Sequence, residues 1–414
     1  MIAAVVKYRM TGNEWVPEIP EHWDFRRLKN FAVIGSGQDQ KGIEKDNGKY
    51  SIYGTGGLMG KTNEFLYEGP SVILGRKGTI DNPFYITEPF WTVDTAYYTK
   101  IKENVDPRFF FYCCLTIPFD YYKYGSAVPS MSQRDLNQIC LPYPPLEEQK
   151  IIADYLDEQS TKITRFIQSK QRFIELLKEQ RQSIITNAVT KGIDEKAKMK
   201  ETVLGKIPKH WEVRRLKFIA EVNFSTVDKH SYKEEKQVRL CNYVDVYKHE
   251  YITNDFDFMI ATATDAEIKR FTVEKGDVII TKDSETAADI AIPALVVEDL
   301  ENVVCAYHLA HIKPNRELVE SEFLFRLFQS KKINSHFEVA AKGVTRHGLS
   351  YDDINSVFLP YPPTLNEQQE IIKHIKTETR TLDIAISKAE REIELIKEYR
   401  EAMIAEAVTG KIKL

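Results

Sequence analysis

A chain of 414 residues is too long for one ordinary hydrophobic core and fits two or more domains of about 100–200 residues. Its 43% hydrophobic and 29% charged residues, with 19 Gly and 17 Pro dispersed among them, exclude wholesale disorder. The net charge of −4 excludes the strongly basic balance of a protein that holds nucleic acid unaided, so any such binding requires locally concentrated cations or partners that supply the remaining phosphate contacts.

The opening stretch MIAAVVKYRM has too short an apolar run for a signal peptide, and no stretch reaches the ~20 apolar residues of a membrane span. A cytoplasmic protein is expected. Its five cysteines (Cys113, Cys114, Cys140, Cys241 and Cys305) form no CxxC pair, which fits buried thiols in a reducing compartment rather than a metal site.

The first recognisable element, IPEHWDFRRLK from Ile19 to Lys29, returns as IPKHWEVRRLK from Ile207 to Lys217, with eight identities in eleven positions at a shift of 188. SMSQRDLNQI (Ser130 to Ile139) followed by LPYPP (Leu141 to Pro145) returns as GLSYDDINSV (Gly348 to Val357) and LPYPP (Leu359 to Pro363), at a shift of 218. IELLKEQR (Ile174 to Arg181) matches IELIKEYR (Ile393 to Arg400) at 219, and AVT at Ala188 recurs at Ala407. The chain is therefore an internal duplication. Each half has a fixed leading strand, a variable region (about 30–145 and 218–363), a fixed proline-containing exit and a fixed helix. The drift of thirty residues falls inside the variable regions. The expected division is a first globular domain over 1–145, a helix over 146–192, a linker over 193–206, a second globular domain over 207–363 and a second helix over 364–414.

After each PYPP, where proline disfavours continued helix, come about 45 residues free of Gly and Pro. A 3.5-residue seam places Ile152, Leu156, Ile163, Phe166, Phe173, Leu177 and Ile184 on one face of the first helix, interrupted by Gln159, Lys170 and Gln180. The second carries Ile371, Ile375, Leu382, Ile396 and Met403, with Ala385 and Ala389. Such seams predict two helices packed on each other as an antiparallel coiled coil, with a globular α/β-type domain at each end. By pseudo-symmetry, the end of the second helix should lie near Trp15 to Trp23. The fold class expected is α+β with an internal pseudo-two-fold.

Within the variable regions, GTGGLMGKT (Gly54 to Thr62) fails as a phosphate loop because Thr55 stands where GxxxxGK[ST] needs glycine. Two readings of it stay open: a tight hairpin, or a loop whose backbone approaches nucleic acid, with Tyr53, Thr55, Gly56 and Gly57 at its tip. Arg76 and Lys77 follow the apolar run Val72 to Leu74 and precede Thr79, a placement that suits guanine and phosphate contact. Lys282, Asp283 and Ser284 occupy the corresponding place in the second half. YGSAVP (Tyr124 to Pro129, with Ser126) and KGVTRH (Lys342 to His347, with Thr345 and Arg346) stand at equivalent positions and could end each contact surface. PRFFFYCCL and SEFLFRLF read as core helices. No cofactor glycine loop, Asn/Asp-Pro-Pro-aromatic tetrad, HExxH or GxSxG elbow is present.

Taken together, the IPxHW motif, the LS/MS-x-x-D-[LI]-N run, the exits Pro144, Pro145, Leu146, Glu148, Gln149 and Pro362, Pro363, Leu365, Glu367, Gln368, the duplication and the paired helices resemble the specificity subunit of type I restriction–modification enzymes. The one departure is Thr364, inserted after the second Pro-Pro. The resemblance implies two target recognition domains, each reading half of a bipartite duplex DNA site, and helices that act as spacer and docking surface. It implies no catalysis, cofactor or metal in this chain: two modification subunits would use S-adenosylmethionine, and motor-nuclease subunits would use ATP and Mg. Two other readings are a DNA-modifying or DNA-cleaving enzyme with diverged motifs and a coiled-coil scaffold that binds protein only.

Overall fold

The structure, a computed structural model, describes residues 7–125 and 128–414. It divides into two compact units, one of residues 1–171 and 390–414 and the other of Arg172–Ala389, so the division falls inside both long helices. These run over Leu146–Lys191 and Leu365–Val408.

Each unit holds one globular domain and a segment of each helix in one core. In the first unit Ile152, Leu156 and Ile163 share a buried cluster with Met403, Ile404, Ala407 and Val408. In the second, Ile185, Ala188 and Val189 share one with Ile371, Ile372 and Ile375. The start of one helix thus meets the end of the other, as antiparallel pairing requires.

The seam departs from the expected one in its period. Ile152, Leu156, Ile163, Ile371, Ile375 and Met403 are buried, and Leu177, Ile184, Leu382 and Ile396 are half-buried. Phe166 and Phe173, however, are 39% and 45% exposed, while Ile167 is half-buried and Ile174 buried in their place, and Ile185 is buried beside the half-buried Ile184. Buried and half-buried positions at 152, 156, 163, 167, 170, 174, 181, 185 and 188 keep the 3.6-residue period of an ordinary helix. A 3.5-residue seam drifts by about 20° per heptad against that period, so by Phe166, two heptads past Ile152, it has turned about 40° and runs along the edge of the buried face.

The globular domains share one topology despite their divergent sequences. In the first, a sheet orders Ala32–Ser36, Ala96–Ile101, Ser71–Gly75 and Phe84–Ile86. A second sheet orders Gly57–Thr62, Tyr50–Gly54 and Phe90–Thr92. The other domain repeats both. Ala220–Phe224, Leu309–Pro314, Val278–Thr281 and Pro293–Val296 form the first sheet, and Met259–Ala263, Lys236–Cys241 and Val303–Cys305 the second. Much of the length drift lies at one place. The two-residue turn Thr55-Gly56 is replaced by residues 242–258, which carry the helix Tyr243–Lys248 and the strand Tyr251–Ile252 that adds a fifth member to the larger sheet.

The fixed sequence blocks explain how each domain is held. Asp24–Arg27 pairs antiparallel with Cys140–Tyr143, and Glu212–Arg215 pairs in the same register with Phe358–Tyr361. The Trp23 indole N–H donates to Glu148 at 2.8 Å, and Trp211 donates to Glu367 at the same distance; His22 and His210 each add a 3.0 Å contact to the same carboxylate. The neighbouring glutamines are fully buried. Gln149 accepts from the Asp106 N–H at 2.9 Å and donates to the Pro144 carbonyl at 2.9 Å, while Gln368 accepts from Glu320 N–H at 2.8 Å and donates to Pro362 and Leu318. Both aromatic helices, Pro107–Leu115 and Ser321–Gln329, lie in the cores with Phe109, Phe110, Phe323, Phe325 and Phe328 fully buried.

One pair on this scaffold is inverted in charge. Arg108 binds Asp154 and Asp157 of the first helix, at 2.7 and 2.9 Å, whereas in the second half Glu322 binds Lys376 at 2.5 Å. The Asp157 carboxylate also accepts from Tyr112, whose phenol burial and Asp157 push upward. The chain's end closes on its start: Tyr8 donates to the Gly410 carbonyl at 2.8 Å. Gly410 has φ +76°, and a Cβ there would stand 2.6 Å from Pro20 and 2.9 Å from Trp23, so only glycine fits.

Gln149→Leu removes a donor and an acceptor at a fully buried site and leaves the Asp106 N–H and Pro144 C=O without partners. A loss of about 2–4 kcal/mol is expected in the denaturant transition of the first unit, since each unpaired buried group costs roughly 1–3 kcal/mol.

Candidate nucleic-acid interface

The strand Ser71–Gly75 is buried along its whole length, and the chain leaves it as Arg76 to Thr79. Backbone bonds grip this loop from two sides. The N–H groups of Arg76 and Lys77 both donate to the Thr95 carbonyl, at 2.9 and 3.0 Å. The Arg76 carbonyl accepts from Met131 at 2.9 Å, and the Gly78 N–H donates to Pro129 at 2.9 Å.

Two more of the motifs singled out in the sequence converge here. GTGGL is a tight hairpin, with Gly54 paired to Gly57, and Thr55 at its tip donates its hydroxyl to the Lys77 carbonyl at 3.3 Å. Tyr124 and Ser130 close the third loop with reciprocal 2.8 Å backbone bonds, and Lys77 bridges to Ser130. Ser126, inside that loop, lies outside the described residues. Tyr53 and Gly57 are half-buried and Gly56 is exposed.

Arg76 is half-buried and donates one guanidinium N–H to the Asp94 carbonyl at 3.1 Å; Lys77 and Thr79 are exposed. Among the described residues neither cation has a carboxylate partner. A cation held on a rigid strand end without an internal counter-ion is available to a phosphate or a base edge.

The second domain builds the same frame with other side chains. The Lys282 N–H donates to His308 at 3.1 Å, its carbonyl accepts from Leu349 at 2.9 Å, and Lys342 and Gly348 close a loop with reciprocal bonds of 3.1 and 3.0 Å. Asp283 and Ser284 pair with Gly348 and His347. Gly343 has φ +143°, and a Cβ there would stand 1.8 Å from the Arg346 carbonyl, so the loop requires glycine. Lys342, Thr345 and Arg346 are exposed, and neither cation has an ion-pair partner among the described residues.

Other expected contact residues are placed inward. Ser284 is buried and accepts from the Thr286 N–H at 3.4 Å, and His347 is half-buried. Among the described residues no hairpin tip equivalent to Thr55-Gly56 meets this loop, because residues 242–258 run instead to the far edge of the larger sheet.

Sequence reasoning missed the third side of each frame. Asp94 and Thr95 precede the strand Ala96–Ile101, as Tyr307 and His308 precede Leu309–Pro314. His308 Nδ1 lies 2.7 Å from Asp283 Oδ2, the Tyr307 and His308 ring centroids are 3.7 Å apart, and Lys282 lies over the Phe224 ring at 5.3 Å. Dipeptides as ordinary as Asp-Thr and Tyr-His carry no motif, so only the strand pairing reveals them.

Two α/β domains of one topology, each bearing a cation-containing loop set on a shared helical scaffold, define a class of duplicated recognition proteins. The Type I restriction modification DNA specificity domain matches residues 20–176 and 208–395, and the chain belongs to that family. It is 24% identical over 357 residues to the Type I restriction enzyme EcoBI specificity subunit of Escherichia coli, across 82% of this chain and 73% of that one. It is 21% identical over 423 residues to the MjaVIII specificity subunit of Methanocaldococcus jannaschii, across 96% and 94%. A chain from a solved structure of a type I R-M system superposes with a TM-score of 0.65 at 14% identity, covering 95% of this chain and 99% of that one, which shows the shared fold. The chain is a DNA specificity subunit rather than the catalytic subunit of such a system. Among the described residues no helix is long and apolar enough to cross a membrane.

Arg76→Ala and Lys77→Ala test the first loop in salt-dependent DNA-binding titrations. Loss of a phosphate contact should lower the slope of log K against log salt by about 0.9; loss of a guanine contact should weaken specific binding by about 5- to 150-fold. Unchanged affinity in both variants would make the loop a plain turn.

Proposed function

We propose that each variable region reads one half of an asymmetric bipartite site in duplex DNA, and that the paired helices set the spacer and dock two modification subunits. The observation that carries this reading is the recurrence of one loop frame on one scaffold with different side chains in each copy. Arg76, Lys77, Thr79 and the Thr55 to Gly57 tip stand in the first frame, and Lys282, Asp283, Lys342, Thr345 and Arg346 in the second. Frames that share their strand-end and closing-loop bonds but differ in side-chain chemistry suit two different half-sites.

Methylation in this reading belongs to partner subunits that use S-adenosylmethionine, and cleavage to motor-nuclease subunits that use ATP and Mg, with the cytoplasm as the place of action. The partners also answer the charge problem: a chain of net charge −4 relies on them to neutralise phosphates outside the two cationic loop sets. Footprinting the complex of this chain with its modification subunits should give two protected patches. A single patch, or protection equal to that of the modification subunits alone, would favour a protein-only scaffold.

The observed helical period sharpens the test of the spacer. Deleting about 14 residues from both helices turns their faces by roughly 40°, while deleting about 18, five full turns, preserves them. The 18-residue deletion removes about 27 Å of helix and should shorten the methylated site's spacer by roughly eight base pairs at 3.4 Å each. An unchanged spacer in a folded variant contradicts the ruler role.

A further inference from the structure

At the same place in the two frames the hydrogen-bonding character is reversed. In the first domain the side chains after the buried strand are Arg76 and Lys77, which can only donate. In the second they are Lys282 and Asp283, and the carboxylate is fixed. Its Oδ2 accepts from His308 Nδ1 at 2.7 Å and lies 3.3 Å from Lys282 Nζ, while Lys282 is steadied over the Phe224 ring. Its Oδ1 has no hydrogen-bond donor among the described residues. The space beside that oxygen is kept open by Gly348, whose missing Cβ would stand 3.2 Å from it. About a fifth of the Asp283 side chain is exposed, beside the loop that carries Thr345 and Arg346.

We infer that Asp283 is a specificity-determining residue whose Oδ1 accepts a hydrogen bond from the N4 amino group of a cytosine in the major groove of one half-site. The inference rests on the DNA-reading role proposed above. A carboxylate can meet only bases that offer an amino donor, which are cytosine and adenine. Adenine places its N7 acceptor beside N6, where it would face an acceptor-only group without a proton between them; cytosine offers N4–H with no neighbouring acceptor on that edge. His308 and Lys282 hold the second oxygen, so the carboxylate's direction is set before DNA arrives and little side-chain freedom is lost on binding. Lys77, at the equivalent place in the first frame, can only donate, as to guanine O6 or N7 or to a phosphate, so the two frames present opposite polarity at that position.

The test uses the complex of this chain with its modification subunits and the duplex site found by methylome sequencing of a host expressing both. Each cytosine of the two half-sites is replaced in turn by 2-pyrimidinone, which lacks only the 4-amino group, and binding is measured for wild type and Asp283→Ala, which leaves no acceptor. At one position the wild-type complex should lose about 5- to 150-fold in affinity, and Asp283→Ala should bind the two duplexes alike there. Tight binding of the analogue at every position overturns the inference through the wild-type protein alone, whatever the variant's stability. A position-specific loss that Asp283→Ala leaves in place overturns it as well, as do half-sites built only of A·T pairs. If instead the wild-type complex yields no bipartite site, it is the proposed function that fails.

Discussion

The whole architecture depends on two adjacent polar side chains at the first turn of each long helix. Glu148 and Glu367 accept from a buried tryptophan indole, and Gln149 and Gln368 bridge a helix-start N–H to a proline carbonyl with no exposure to water. Buried amides and indoles must find partners. That requirement fixes the orientation of each domain's leading strand and aromatic helix against the long helix, and it accounts for the repeated Trp, Glu and Gln. The glutamate's negative charge in the first turn is also favoured by the helix dipole.

Because the fixed residues satisfy one another, the variable residues are released from holding the fold. The larger sheet is anchored by the paired strands Asp24–Arg27 with Cys140–Tyr143, and Glu212–Arg215 with Phe358–Tyr361, whatever occupies the strand-end loops. A hairpin turn in one domain becomes a helix and an extra strand in the other without disturbing the strand order it interrupts. Scaffold contacts themselves change in sign, as Arg108 with Asp157 against Glu322 with Lys376, provided both partners change together. The strand-end loops are therefore free to diverge while their backbone frame stays in register.

Much of this was legible in the sequence because it is repeated there. The duplicate blocks gave the domain order, the two helices, the aromatic core helices and the closure of the chain's end on Pro20 and Trp23. The hairpin, the Arg76 loop and the Tyr124 loop could be singled out separately, but nothing in the sequence joined them, since the bonds from Met131 to Arg76 and from Thr55 to Lys77 span distant segments. His308 and Tyr307 stayed invisible for the same reason. The helix seam was misread at Phe166 and Phe173, where a heptad and a 3.6-residue pattern diverge by one position and both candidates are apolar. Ile167 and Ile174 were equally good choices on composition, and only the period decides between them.

The central claim is that specificity is written in interchangeable inserts on a constant scaffold. The most direct measurement grafts residues 30–129 of the first half in place of residues 218–347 of the second, keeping both leading strands, both exits and both helices, and sequences the methylome of a host expressing the graft with the modification subunits. The account predicts a methylated site that is an inverted repeat of the first half-site with the original spacer. A folded graft that still methylates the original asymmetric site would contradict it.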